Sequence, residues 1–289
     1  MSIVEVVFLI VFWTWVFSAV LLLRNTFLPR LPITATPAQF NLEADTVHFP
    51  ATDGVQLEGW KILGDPEHPW IILCHGLGAN RADLLDVAAG LHAQGFNLFL
   101  FDFRAHGSSQ GRVTSFGYRE QRDLAGALVF LGQQPDVKDH PYGIYGISMG
   151  GSVALMVAAQ DERLGAIAVD SPYTDLDLSI ALHTKLMFPW LPKQPFHWFV
   201  CATYRVRFGI WPSHASPKLA AANLGKRPLL ILQGAADPRM PLQGAKDIIA
   251  SASGPSELVA LPGGHLEGYS HDPAAYYAHL GEFFRDALL

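Results

Sequence analysis

The chain has 289 residues, half of them apolar, and a formal net charge of −6. That length and apolar content allow one large domain with a substantial core and exclude a disordered chain. The acidic balance, without a run of Lys or Arg, removes the electrostatic basis for nucleic-acid binding. Residues 6–23 come first in the chain: 18 positions with no charge, containing Phe8, Phe12, Trp13, Trp15 and Phe17. As a helix this run is roughly 27 Å long, enough to cross a hydrocarbon core. A cleaved signal peptide is the competing reading, but the basic residues that open one are missing and the run is too long for it. The expectation is a retained single-pass anchor over residues 1–24. Arg24 and Arg30 follow it and nothing basic precedes it, which puts the rest of the chain on the cytoplasmic side.

Residues 25–41 contain prolines and lack periodicity, as a short tether would. Beyond them, over residues 42–289, short apolar runs alternate with amphipathic ones. Residues 46–49 and 55–63 flank Asp53-Gly54 and predict an antiparallel hairpin. Residues 70–74, 97–101, 142–147, 164–169, 228–232 and 257–261 predict further strands, mostly buried on both faces. Helical patterns fall at 81–94, 119–131, 149–160, 242–251 and 273–287. This alternation predicts an α/β fold, a mostly parallel eight-stranded sheet with helices on both faces. Between residues 169 and 228 more than fifty positions carry no strand signal, and Phe188, Trp190, Phe196, Trp198 and Phe199 crowd their centre. The stretch at about 172–216 reads as an apolar lid, against the plainer reading of a helical excursion that completes the core. Cys74 and Cys201 lie in apolar surroundings and read as buried free thiols rather than a disulfide or a metal pair.

The chemistry is carried by Gly146-Ile147-Ser148-Met149-Gly150, where a strand pattern gives way to a helical one. A serine on such a turn is lifted clear of the sheet, and side chains at positions 146 and 150 would collide with the crossing elements. Alone the motif is weak in a chain with 26 glycines. Acyl transfer through serine also needs a base, an acid to orient it and N–H donors for the oxyanion. His75-Gly76-Leu77-Gly78 follows a strand and can present the Leu77 N–H, with Met149 supplying a second at a helix start; the His75 side chain itself reads as a brace for the turn. Asp237 follows the strand at 228–232. His265 follows Pro262-Gly263-Gly264 and is preferred as base over His271, whose Asp272-Pro273 setting reads as the start of the last helix.

The order Ser148, Asp237, His265, each on a loop past a strand, resembles the α/β-hydrolase superfamily over roughly residues 45–289. Residues 102–109 are similar to that family's D-x-R-G-H-G-x-S turn, with Ala105 where glycine is usual. Asp170-Ser171-Pro172-Tyr173 resembles a segment of its membrane-anchored branch, which includes acyl-protein thioesterases and lysophospholipid lipases. The resemblance implies a Ser148–His265–Asp237 triad, Leu77 and Met149 as oxyanion donors, and no metal or organic cofactor. Asp170 is the alternative acid; Asp102 reads as a partner of Arg104 or of its own turn. Tyr173, Phe188 and Trp190 are expected to touch substrate, with the place of Tyr173 open between pocket and core. The implied function is hydrolysis of acyl esters or thioesters of lipid-like or membrane-associated substrates, with a small-molecule or lipid partner and oligomeric state undetermined. A peptidase would need acidic groups for a substrate amine, and the insert offers only Asp175 and Asp177. A non-catalytic binding protein of the same fold is the rival from another class.

Overall fold

The computed structural model describes residues 1–137, 141–191 and 193–289. Eight strands, β1 (Asp45–Pro50), β2 (Gln56–Ile62), β3 (Trp70–Cys74), β4 (Asn97–Phe101), β5 (Tyr142–Ile147), β6 (Leu164–Asp170), β7 (Leu229–Gly234) and β8 (Ser256–Leu261), form one sheet in the order β1-β2-β4-β3-β5-β6-β7-β8. β1 and β2 enter it antiparallel, and β4 to β8 run parallel with β3. This is the α/β-hydrolase fold, as expected, and each predicted strand lies within one or two residues of an observed one.

Strand periodicity divides the core. Ile71 and Leu73 of β3 pack on one face against Leu85 and Leu91 of α2 (Leu85–His92) and Leu280 and Phe284 of α9 (Pro273–Leu288). Ile72 and Cys74 face the other way, into a cluster that holds Leu124 and Leu128 of α3 (Glu120–Leu131), Val153 of α4 (Met149–Ala158) and Ile248 of α8 (Leu242–Ser251). Every residue of α4 is buried, which its uncharged sequence permits. Because successive strand side chains alternate sides, a run apolar at every position has both faces covered.

Between β6 and β7 the chain forms α5 (Leu176–Met187), α6 (Lys193–Phe208) and the short α7 (Pro217–Ala221). This insert has its own apolar cluster, with Tyr173, Leu176, Phe196, Val200, Tyr204 and Phe208 buried together. The Asp177 carboxylate joins α5 to α6, accepting from His197 Nε2 and Cys201 Sγ, each at 3.1 Å. Cys74 and Cys201 are free and buried.

The N-terminal run forms α1 (Ile3–Thr26), opened by Ser2, which accepts from the Glu5 N–H while Glu5 accepts from the Ser2 N–H. It is long and apolar enough to cross a membrane. Its apolar side chains are exposed from Ile3 to Phe17, whereas Ser18, Leu22 and Thr26, one turn apart, are buried. Leu22 enters the insert's cluster. The segment expected to be a tether is held down. Arg30 donates to the carbonyls of Gly107 at 3.0 Å, Gly111 at 2.6 Å and Ser109, and Ile33, Ala35 and Phe40 pack on the core.

Candidate active site

The turn between β5 and α4 holds Ser148 at φ 50°, ψ −116°, a region that costs an L-residue about 1–3 kcal/mol. Its neighbours make the turn possible. A Cβ on Gly146 would stand 2.6 Å from the Gly150 carbonyl, and one on Gly150 would overlap the Cys74 and His75 carbonyl oxygens. Strand, elbow and helix can therefore approach this closely only through glycine.

The loop after β7 brings Asp237 alongside, and the loop after β8 brings His265 between the two. His265 Nδ1–H donates to Asp237 Oδ2 at 2.6 Å, and the Ser148 hydroxyl donates to His265 Nε2 at 3.0 Å. The carboxylate fixes the imidazole tautomer, leaving the Nε2 lone pair on the hydroxyl. Asp237 is itself held. Its Oδ1 accepts from the Arg239 and Met240 N–H groups at 2.8 and 3.0 Å, and the buried Gln233 amide donates to Oδ2 at 3.3 Å. Burial pushes the Asp237 carboxyl upward, but the His265 bond and the Met240 and Arg239 N–H groups outweigh it and hold it below the usual carboxylate range. It therefore stays anionic at neutral pH.

The other candidates go elsewhere. Asp170 is buried, accepting from Ser171 Oγ at 2.8 Å and from Tyr276 OH at 2.6 Å, and Tyr276 in turn meets Tyr145 at 2.8 Å. Asp272 caps α9 through the Ala275 N–H at 3.0 Å, so His271 does sit at the start of the last helix. Asp175 accepts from Ser216, and Asp177 is engaged between α5 and α6.

The Gly76-Leu77 turn borders the serine: a Cβ on Gly76 would lie 3.5 Å from Ser148 Cβ. Two buried histidines brace it. His75 donates to the Gly76 carbonyl at 2.7 Å and accepts from the Phe103 N–H at 3.0 Å, and burial takes its pKa down to about 3. His106 accepts from the Gly78 N–H at 3.0 Å. The sequence offered the histidine of the D-x-R-A-H-G turn, but nothing in it showed that this ring reaches the facing loop. Met149 opens α4, so its N–H has no partner within the helix.

Of the two contacts expected of Asp102, the structure shows the one with its own turn. It accepts from the Ser108 N–H at 2.8 Å, but its charged partner is Arg81 at 2.5 Å. Arg104 reaches outward to Asp53 and Asp123 because the turn aims it toward the hairpin and α3. Ala105 sits at φ 63°, where glycine is strain-free. Ala105→Gly is expected to raise stability by about 0.5–1 kcal/mol, the relieved strain exceeding the entropy of the freer unfolded chain; urea unfolding midpoints will show it. Hydrogen bonds from Arg104 lower Asp53 to about 2, against some opposing burial and with help from Arg122. Its folded value lies below its unfolded one, so its contribution is present at neutral pH and fades as pH falls from about 4 toward 2. Asp53→Asn should cost about 1 kcal/mol at pH 7 after solvent screening. That deficit should narrow in acid, as equilibrium unfolding at several pH values will measure.

Ser148, Leu77, Met149 and His265 border a cavity of about 340 Å³. Tyr173 lines it and is also buried in the insert, its hydroxyl tied to the Phe116 carbonyl at 3.0 Å. Phe188 and Trp190 do not line it, contrary to expectation. The wall of α5 is Ile180, His183, Thr184 and Met187, spaced along one helical face. Past Met187 the chain turns away, so that Phe188 meets Phe17 and Trp190 is 74% exposed. Leu21, Leu22 and Asn25 of α1 complete the lining and were not foreseen. Ser18, Asn25 and Thr26 within and just after the apolar run were the available sign that its end faces protein.

Residues 69–199 match the family described as alpha/beta hydrolase fold. An uncharacterized protein of Mycobacterium tuberculosis, Rv2307c, is 29% identical over 216 residues, 74% of this chain and 69% of that protein. The uncharacterized YqkD of Bacillus subtilis is 26% identical, over 84% of this chain and 79% of its own length. An esterase of Pyrococcus furiosus, Pf2001, superposes with a TM-score of 0.76 at 26% identity, covering 91% of this chain and 98% of the esterase. Fold and comparisons together show that this chain has the α/β-hydrolase fold and is similar to an esterase that shares it.

Proposed function

We propose that the protein is a serine hydrolase that cleaves carboxylic esters or thioesters of lipid-like, membrane-associated acyl substrates. The observation that carries this reading is the hydrogen-bonded chain Ser148–His265–Asp237, at 3.0 and 2.6 Å, on the wall of an apolar cavity. In the first half-reaction His265 Nε2 takes the Ser148 proton as Oγ attacks the acyl carbonyl. The Leu77 and Met149 N–H groups receive the oxyanion, and Asp237 steadies the imidazolium. The imidazolium gives its proton to the departing alkoxide or thiolate, leaving an acyl-serine. Water, deprotonated by the same Nε2, attacks the acyl carbon and releases the acid. The similarity to the Pyrococcus furiosus esterase supports ester over amide cleavage.

The membrane enters through α1. Twelve large apolar side chains from Ile3 to Phe17 are 39–84% exposed, and moving them from water to hydrocarbon is worth on the order of 10–20 kcal/mol. That equals or exceeds the stability of an ordinary domain, so we read α1 as a single-pass anchor. Arg24 and Arg30 put the catalytic domain on the cytoplasmic side. A fluorophosphonate probe followed by peptide mapping tests the assignment: a single adduct on Ser148 is expected. An adduct elsewhere, or none on protein that unfolds cooperatively, overturns it.

A further inference from the structure

The last turns of α1 belong to the cavity, and the insert shares their apolar surroundings. Leu21, Leu22 and Asn25 line the cavity beside Ser148 together with Thr184 and Met187 of α5. One turn earlier, Phe17 packs on Phe188 and Phe196 of the insert, with ring centroids 5.8 and 5.7 Å apart. From Ser18 onward the helix has protein against one side.

Length then decides where the insert sits. The stretch from Ile3 to Trp15, before these contacts, is 13 residues, about 20 Å of helix, against a hydrocarbon core of about 30 Å. The missing thickness must come from the part of α1 that lies against α6. The neighbouring surface suits immersion: Leu186, Met187, Trp190 and Trp198 are 49%, 51%, 74% and 68% exposed. Tryptophan favours the boundary between hydrocarbon and headgroups.

Resting on the acyl-hydrolase reading above, we infer that α1 is a wall of the acyl-binding site as well as an anchor, and that a bilayer lipid bearing an acyl ester enters sideways between α1 and α5. Its chain then passes from hydrocarbon into an apolar cavity without crossing water. On the aqueous route every methylene of a long chain would be exposed to water. The lateral route spares most of that, which makes it the faster one for long chains.

The test uses the full chain in phosphatidylcholine nanodiscs with fluorogenic acetyl and dodecanoyl esters. Leu21→Trp, which crowds the α1 side of the cavity, should lower the ratio of dodecanoyl to acetyl kcat/KM at least tenfold. An environment-sensitive dye on Trp190→Cys should emit in the blue and resist iodide. The same dye on Ser253→Cys, exposed before β8 at the opposite end of the strands, should be quenched. An unchanged ratio in Leu21→Trp that still labels at Ser148, or equal iodide quenching at the two dye positions, overturns the inference. If Leu21→Trp does not label, the two dyes alone decide. Failure of the parent reading looks different, because the unsubstituted protein would then neither label at Ser148 nor hydrolyse the acetyl ester.

Discussion

Ser148→Ala is expected to lower kcat by about 10⁶-fold and to leave no fluorophosphonate adduct, while unfolding as cooperatively as the parent protein. The magnitude follows from the hydrogen-bonded geometry: without Oγ no acyl-serine forms, and only the oxyanion donors and the binding site remain to act on water. His265→Ala should be equally damaging, and the double variant no worse than either, because nucleophile and base act as one unit. Asp237→Asn should cost about 10⁴-fold, since an amide can donate to Nδ1 and leave the proton on Nε2, facing the hydroxyl it should accept from. Steady-state kinetics on the acetyl ester decide. A Ser148→Ala protein that keeps more than a few per cent of the parent rate, or Asp237→Asn activity within tenfold of it, would remove the residue concerned from its role.

Gly150→Ala is the substitution with the largest expected effect on stability. The added methyl would overlap the Cys74 and His75 carbonyl oxygens, which are backbone atoms of a fully buried strand end and its following turn. Neither can yield without moving β3 or α4. The cost is about 3 kcal/mol, the upper end of ordinary overpacking. That is a large part of a stability of about 5–15 kcal/mol, and corresponds to a fall in Tm on the order of 5–10 °C. Calorimetry will measure it; a Tm within 2 °C of the parent would mean that strand and helix are not locked together at the elbow.

Much of this fold was legible because buried parallel strands have a plain signature. Residues such as Trp70 to Cys74 and Asn97 to Phe101 are apolar on both faces and bounded by turn residues, and the structure buries them completely. Ser148 and Asp237 were read as site residues because each follows such a strand, and His265 because it follows the partly exposed β8; strand ends converge in a parallel sheet. What could not be read was direction. The insert's aromatics signalled an apolar region, but which of them faced the cavity depended on where α5 ended, and that moved the role from Phe188 and Trp190 to Ile180 and Met187. The partner of Arg104 was missed for a similar reason: a side chain that long reaches any of several carboxylates, and the tertiary fold chooses. The contribution of α1 was largely hidden by its composition: most of the helix is apolar all round, and only Ser18, Asn25 and Thr26 pointed to the face that meets protein.

Arg30 has a consequence of another kind. Its guanidinium holds the carbonyls of Gly107, Ser109 and Gly111, and His106 in the same turn receives the Gly78 N–H next to Leu77, a proposed oxyanion donor. Severing the chain just beyond Arg30, by a protease or by trimming it for solubility, would spare the sheet but remove this clamp along with the anchor. On the function proposed above, release from the membrane and loss of catalytic efficiency would then be a single event, leaving in the cytoplasm a folded but sluggish fragment.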